Sequence, residues 1–290
     1  MISYATELNV YNEKVGITMV ERRKAKEAAI HLGTHGENYG SWMSNPVFYV
    51  MGALLALSVV LAVLSFAVFH ITALGVVFVI AAVILLALFL WCAWIRRQYA
   101  FVGGGMMDRI HLTVLSHLDF DGKGQLLDVG CDSGPLSIRA ALTWPSAQVV
   151  GIDYWGVDFG YSQTMCEKNA ASEGVATRCR FQHGDANKLD FSDESFDAVV
   201  SNYVYHNIMG SNKQALLLET LRVLKKGGVF AINDTMKPRM YGDMEAFAQK
   251  LQDMGYEDVQ LIDTTREVFG SRQRAAMMML GESRMLVGRK

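Results

Sequence analysis

Across fifty consecutive positions, Pro46 to Ile95, the chain has no Asp, Glu, Lys or Arg. Nor is there a basic excess elsewhere: 27 Lys and Arg face 29 Asp and Glu, a formal charge of −2, which excludes an electrostatic nucleic-acid footprint. No CxxC spacing joins the four cysteines, Cys92, Cys131, Cys166 and Cys179. Free thiols in a reducing compartment are therefore expected, and no metal site. Charged residues make up only 19% of the 290, and the mean hydropathy is slightly positive at +0.17. That is high for a purely soluble enzyme, and a chain of this length suggests about two domains.

The apolar excess is concentrated in the uncharged run. It divides at Phe69 to Gly75 into Val47–Phe69 and Thr72–Ile95. At about 1.5 Å per residue each half is roughly 35 Å long, enough to cross a hydrocarbon core of about 30 Å with some tilt. Its position, its length and the second span exclude a signal peptide. Two transmembrane helices joined by a tight turn are predicted. Arg22, Arg23, Lys24 and Lys26 precede the first, Arg96 and Arg97 follow the second, and the turn carries neither Lys nor Arg. Both termini are then cytoplasmic. Trp91, Trp94 and Tyr99, with Trp42 and Tyr49, suit interfacial belts. Cys92 is the one ionisable group within a span, so the hairpin reads as an anchor in the lipid bilayer rather than a pathway. Upstream, Val15, Met19, Ala25, Ala29 and Leu32 around Glu21–Glu27 outline an amphipathic helix, either solvated or lying on the membrane surface. The expected organisation is a cytoplasmic segment over 1–45, the hairpin over 46–95, a glycine-containing linker over 96–106, and a catalytic domain over 107–290.

Beyond the linker, apolar runs alternate with helical patterns as in βαβ units. A leading helix (Met107–Leu118) precedes runs at Gln125–Val129, Gln148–Asp153, Arg178–His183, Phe196–Ser201 and Val229–Asp234. Helical patterns occupy Leu136–Leu142, Ser162–Ser172 and Gln214–Leu224. A last helix (Asp243–Met254) leads to runs at Asp258–Ile262 and Arg284–Gly288. The fold class is α/β, a seven-stranded doubly wound sheet. Val149–Asp153 and Asp197–Val200 lack alternation, as strands buried on both faces do. The stretch Leu-Leu-Asp-Val-Gly-Cys-Asp-Ser-Gly-Pro-Leu, Leu126 to Leu136, reads as strand, glycine turn and helix start. That is the nucleotide-binding corner of such a sheet, with proline where a helix tolerates it best.

Five pieces in the correct order carry a resemblance: Leu126–Gly134, Val149–Tyr154, Gly184–Ala186, Phe196–Asn202 and Leu221–Phe230. Together they make Met106–Lys290 resemble the class I S-adenosylmethionine-dependent methyltransferases, nearest the small-molecule branch that includes quinone and sterol methyltransferases. The resemblance implies S-adenosylmethionine as cofactor. It makes Gly130 and Gly134 the turn beside the ligand, and Asp153, 23 residues after Gly130, the acceptor for both ribose hydroxyls. It assigns Asp185 and Ala186 to the adenine edge and Tyr154 or Trp155 to its face. Asn202 ends the fourth strand beside the same site. Asp128 would hold the methionine ammonium, orient the turn, or both. Asp132 departs from the family, which has glycine there. Asp tolerates positive φ better than most residues, and its carboxylate would lie close to the cofactor.

Methyl transfer from a sulfonium is an in-line displacement in which an enzyme mainly positions the nucleophile. Where the acceptor must lose a proton, the loop after the fourth strand offers candidates. His206 has a suitable unperturbed pKa, or shapes the loop instead. Tyr205 and Tyr203 are its companions, with His111 and His117 on the leading helix as weaker candidates. Met277-Met278-Met279 is expected to be ordinary core of the last hairpin rather than an adaptable apolar wall. No Asp-Pro-Pro-Tyr motif follows the fourth strand, so nucleic acid is not an expected partner. The reading is a membrane-anchored methyltransferase acting in the cytoplasm on a small lipophilic acceptor. Its alternative is a non-catalytic or regulatory S-adenosylmethionine-binding module on the same tether.

Overall fold

The computed structural model describes residues 39–40, 43, 45–101, 104–156 and 161–290. The amphipathic helix expected around Glu21–Glu27 lies outside the described residues. The chain divides into a helical unit over Gly40–Gly105 and a larger unit that holds Tyr39, Met106–Trp155 and Tyr161–Lys290.

The helical unit is a hairpin of α1 (Asn45–Ala67, 23 residues) and α2 (Thr72–Tyr99, 28 residues). Both are long and apolar enough to cross a membrane, with mean hydropathies of 2.6 and 3.2. Their open ends are tied together. Arg96 Nη2 donates to Asn45 Oδ1 at 2.7 Å, its guanidinium carbon lies 5.2 Å from the Phe48 ring centroid, and Phe48 meets Phe89 edge-on at 5.6 Å. At the closed end a Cβ on Gly75 would lie 2.5 to 2.7 Å from the Phe66 ring, so glycine is what lets that ring cross the second helix. The Ser58 and Ser65 hydroxyls donate to the carbonyls four residues earlier, which satisfies them without water.

The larger unit is built on one seven-stranded sheet in the order β3-β2-β1-β4-β5-β7-β6. Its elements run α3 (Met106–Ser116), β1 (Gly124–Val129), α4 (Pro135–Thr143), β2 (Ala147–Asp153), α5 (Gln163–Ser172) and β3 (Cys179–His183). Then come β4 (Phe196–Asn202), a 3₁₀ turn (Tyr205–Asn207), α6 (Lys213–Arg222), β5 (Leu224–Thr235), α7 (Pro238–Tyr241) and α8 (Met244–Asp253). The chain ends with β6 (Glu257–Asp263), α9 (Thr264–Phe269), α10 (Arg272–Met277) and β7 (Ser283–Arg289). The pairs among β1 to β5 are parallel, and β7 runs antiparallel to both β5 and β6. Strand and helix positions match the expectation closely because β1, β2 and β4 are buried on both faces and leave unbroken apolar runs.

Helix starts follow their capping residues. The side chains of Ser162, Asn212 and Asp243 accept from Met165 N, Ala215 N and Ala246 N, each filling one orphan donor of the first turn. Leu127, Val129, Val199, Leu217, Leu221, Phe230, Ile232 and Leu286 form the centre of the core.

One expectation changes. Residues 264–282 do not form the buried side of a simple hairpin; they form α9 and α10. Met278 is fully buried while Met277 and Met279 are exposed at 56% and 51%. Because Ser283 pairs with Thr235, this insertion sits at the carboxyl ends of the parallel strands.

Under α3, the fully buried Arg139 forms an ion pair with Asp108, and burial lowers its pKa to about 9. The negative Glu173 also acts on Arg139, but removing Asp108 takes away the direct partner of a fully buried guanidinium, at about 3 kcal/mol. Asp108→Ala should therefore lower unfolding stability by about 3 kcal/mol, and Asp108→Ala with Arg139→Met should recover most of it in chemical denaturation.

Candidate cofactor and acceptor site

The carboxyl ends of β1, β2 and β4 converge on the glycine turn that leads into α4. Asp153, the last residue of β2, grips that turn. Its Oδ2 accepts the Asp132 N–H at 3.0 Å and its Oδ1 the Trp155 N–H at 2.7 Å. Trp155 returns across the turn, its Nε1–H donating to the Asp132 carbonyl at 2.7 Å, and the Cys166 thiol donates to the same carbonyl. Asp132 has φ of 52° and Trp155 of 44°. A bulky residue in the left-handed region is rare and persists where its surroundings over-determine it, as these bonds do. Asp132 thus occupies the family's glycine position with the positive φ that glycine would supply. Behind it, Asn169 Nδ2 donates to the Ser133 carbonyl and the Ser133 hydroxyl to the Tyr39 carbonyl.

Both glycines of the turn have positive φ, 77° and 88°, and both are also closely packed. A Cβ on Gly130 would collide with the Val204 side chain, and one on Gly134 would lie 3.2 Å from the Phe181 ring. The contact at Gly130 seats the loop after β4 directly on the turn.

Three carboxylates share this space. Asp128 accepts the Ser137 hydroxyl at 2.6 Å through Oδ2, while its buried Oδ1 has no hydrogen-bond partner. Burial pushes its pKa up to about 7, the negative charge of Asp153 adds to the rise, and Ser137 holds it down. Burial also pushes the Asp132 carboxyl well up, with Asp153 and Asp128 adding repulsion. The Asp153 carboxyl is raised by burial and held back by the amides of Trp155, Asp132 and Tyr154. Tyr161, raised by burial and by the negative Asp132 and Asp153, borders the same cluster. An unpartnered carboxylate oxygen among mutually repelling carboxylates fits a cation.

At the outer side of β2 and β3, Tyr154 is 66% exposed, its ring centroid 5.1 Å from that of His183. Asp185 is exposed, and its Oδ1 accepts the Asn187 backbone and side-chain amides at 2.8 and 2.7 Å. Ala186 is buried beside it. Asn202 lies deeper, its Oδ1 accepting Asn233 Nδ2 at 2.9 Å. That bond belongs to a buried polar chain in which Thr264 Oγ1 meets Asn233 Oδ1 and Ser283 Oγ. The Tyr203 hydroxyl closes the chain on Ser283 Oγ at 2.6 Å.

The structure separates the catalytic candidates. Tyr205, expected beside His206, is fully buried in the core with its hydroxyl on Thr220 Oγ1 at 2.7 Å, so it does not reach the mouth of the site. The 3₁₀ turn rotates neighbouring side chains by about 120°, sending Tyr205 inward and His206 outward. His206 Nδ1 lies 2.6 Å from Asp234 Oδ1. Asp234 was not singled out in the sequence because it ends an apolar strand. On β5 it lies one residue beyond the position level with Asp153 on β2, which Asn233 occupies. His111 is buried, its pKa lowered by burial to about 3, and His117 Nε2 meets Glu267 Oε2 at 3.1 Å. Neither lies in this loop. Among the described residues no group of three or more His, Cys, Asp or Glu side chains is arranged to hold a metal ion.

A family model described as a methyltransferase domain matches residues 120–267, just over half the chain. The chain belongs to the methyltransferase-domain family. Its methyltransferase domain is 35% identical over 120 residues to the ubiquinone/menaquinone biosynthesis C-methyltransferase of Desulfotalea psychrophila, covering 40% of this chain and 44% of that protein. It is 27% identical over 145 residues to a sterol 24-C-methyltransferase of Gibberella zeae, covering 50% and 35%. The chain thus spans less than half the length of these two relatives. Its fold is shared with the geranyl diphosphate C-methyltransferase of Streptomyces coelicolor A3(2), at a TM-score of 0.51 and 12% identity over 67% of this chain and 80% of that one.

Two predictions follow for the methyltransferase domain. The Asp128 carboxyl is raised from an ordinary 3.8 to about 7, so its contribution to stability is complete below about pH 4 and is lost as pH rises through about 7. Between those limits the slope is about 1.4 kcal/mol per pH unit. Comparing unfolding free energies at pH 5 and 8 should show that contribution, and Asp128→Asn should remove it. Asp132→Gly relieves both the left-handed backbone and the repulsion, so it should raise thermal stability by about 1 kcal/mol.

Proposed function

We propose that this chain is a membrane-anchored S-adenosylmethionine-dependent methyltransferase acting on a small lipophilic acceptor at the cytoplasmic face. The observation that carries the reading is the orphaned Asp128 Oδ1 among three crowded carboxylates at the glycine turn. A cofactor with both an ammonium and a sulfonium relieves that repulsion, and the residues present fit it. Bound S-adenosylmethionine supplies an electrophilic methyl group.

The chain's own residues then divide the work. Asp128 holds the ammonium end. Asp153 keeps lone pairs available beyond its two backbone bonds and receives the ribose hydroxyls. Asp185, with Oδ1 committed to Asn187, turns its other oxygen to the adenine amino group beside the Ala186 amide, and Tyr154 covers the base. Asp132 adds negative charge toward the cationic end. Asn202 and Tyr203, fixed in their buried polar chain, shape the floor on the acceptor side.

Lipophilic acceptors are supported by two features. The relatives are named for quinone and sterol C-methylation. Five of the larger unit's exposed large apolar side chains, Tyr154, Met209, Met240, Met277 and Met279, lie at the carboxyl ends of the strands or in the α9–α10 insertion. The hairpin supports the bilayer as partner, and the positive flanks at Arg22–Lys26 and Arg96–Arg97 support a cytoplasmic domain.

The test is calorimetric. Full-length protein should bind S-adenosylmethionine saturably, and Asp153→Ala should weaken binding at least tenfold, about 1.4 kcal/mol, while far-UV circular dichroism stays unchanged. Binding untouched by Asp153→Ala would remove the reading.

A further inference from the structure

One carboxylate grips both the ring and the backbone of His206. Asp234 Oδ1 lies 2.6 Å from Nδ1, and Asp234 Oδ2 accepts the His206 backbone N–H at 3.2 Å. Asp234 is fully buried, and its Oδ1 also accepts the Thr235 N–H at 2.6 Å, so it cannot turn away. Both Asp234 oxygens already accept backbone N–H groups, an arrangement that suits an Nδ1–H donated by the ring and leaves the lone pair on Nε2. The His206 side chain is 26% exposed, and the Tyr203 ring stands edge-on at 6.4 Å. Two residues earlier, Val204 fills the space beside Gly130, so the loop that carries His206 is seated on the turn where the cofactor's methionine end is proposed to lie.

We infer that His206 and Asp234 form a general-base pair, His206 as the catalytic residue and Asp234 as its positioning residue, and that the acceptor is one that gives up a proton, narrowed to a hydroxyl or carbon acid by the quinone methyltransferases among the relatives. This rests on the methyltransferase reading. A thioether or tertiary amine attacks with a lone pair it already has and gives up no proton, so a fixed base would have nothing to do. A phenol, enol or activated carbon must lose one. His206 Nε2 takes that proton. The electron pair left on oxygen or carbon forms the new bond to the methyl carbon, while the breaking carbon–sulfur pair stays on sulfur. The imidazolium formed is stabilised by Asp234 and passes its proton to water through its exposed edge.

The experiment uses full-length protein in phosphatidylethanolamine–phosphatidylglycerol nanodiscs, methyl-labelled S-adenosylmethionine and four probes. These are a naphthohydroquinone, an octylphenol, an octyl thioether and an octyl tertiary amine. Label is expected on the hydroquinone or the phenol and on neither of the others. Asp234→Asn should cut kcat about 100-fold with KM and cofactor affinity within about threefold. Asp234→Glu should recover part of the loss, and His206→Asn with Asp234→Asn should be no worse than His206→Asn alone. Independently of turnover, imidazole nitrogen NMR should find His206 protonated at Nδ1 and the tautomers mixed in Asp234→Asn. Label on the thioether or amine at a rate indifferent to His206→Asn overturns the proposal. So does an unchanged kcat and tautomer in Asp234→Asn, or bound cofactor with label on none of the four probes. Failure to bind cofactor at all instead removes the methyltransferase reading beneath it.

Discussion

The grip of Asp153 on two neighbouring amides is the constraint on which the rest of the site depends. Its carboxylate joins the Asp132 N–H to the Trp155 N–H, and the Trp155 indole closes the circle on the Asp132 carbonyl. Two backbone conformations that L-residues rarely adopt are held in place by this ring of bonds. The same ring forces carboxylates together, because Asp132 carries a side chain where glycine would carry none, and Asp128 lies beneath. Without a ligand that arrangement opposes its own ionisation; a cation reverses the sign of the interaction. The stability and the proposed chemistry of the domain are thus governed by one electrostatic conflict.

A good part of this was legible in the sequence. Strands β1, β2 and β4 are buried on both faces and announce themselves as unbroken apolar runs, and their order with the intervening helices gives the doubly wound sheet. Asp128, Asp153 and Asp185 stand out through their motifs and places near strand ends, and their roles toward the cofactor belong to the proposal. What was hidden depended on rotation and on distance along the chain. Whether Tyr205 or His206 faces the core turns on a three-residue 3₁₀ turn that no periodicity reveals. Asp234 gains its meaning from a partner 28 residues earlier. The Met277–Met279 run reads as core, yet a short helix end puts only Met278 inside. The close seat of Val204 on Gly130, where a Cβ would collide, was equally invisible.

The proposed anchor and the proposed acceptor chemistry share one physical logic. A lipophilic acceptor partitions into the bilayer, and a catalytic domain tethered there meets it at a higher local concentration than it would in water. The charged groups of α1 and α2 are Arg96 and Arg97 in the last turn of α2, outside the uncharged run, so nothing in the hairpin suggests transport, and the chemistry-bearing residues lie in the sheet domain. Exposed methionines around the carboxyl ends of the strands offer a polarizable, adaptable surface for varied apolar shapes.

The central claim, methyl transfer to a small lipophilic acceptor, is tested most directly by incubating membranes that contain the full-length chain with methyl-labelled S-adenosylmethionine and identifying every labelled product. The account predicts label in an organic-extractable small molecule, dependent on the chain and lost with Asp153→Ala. Label confined to protein or nucleic acid, or an extractable product that persists in the Asp153→Ala membranes, would contradict it.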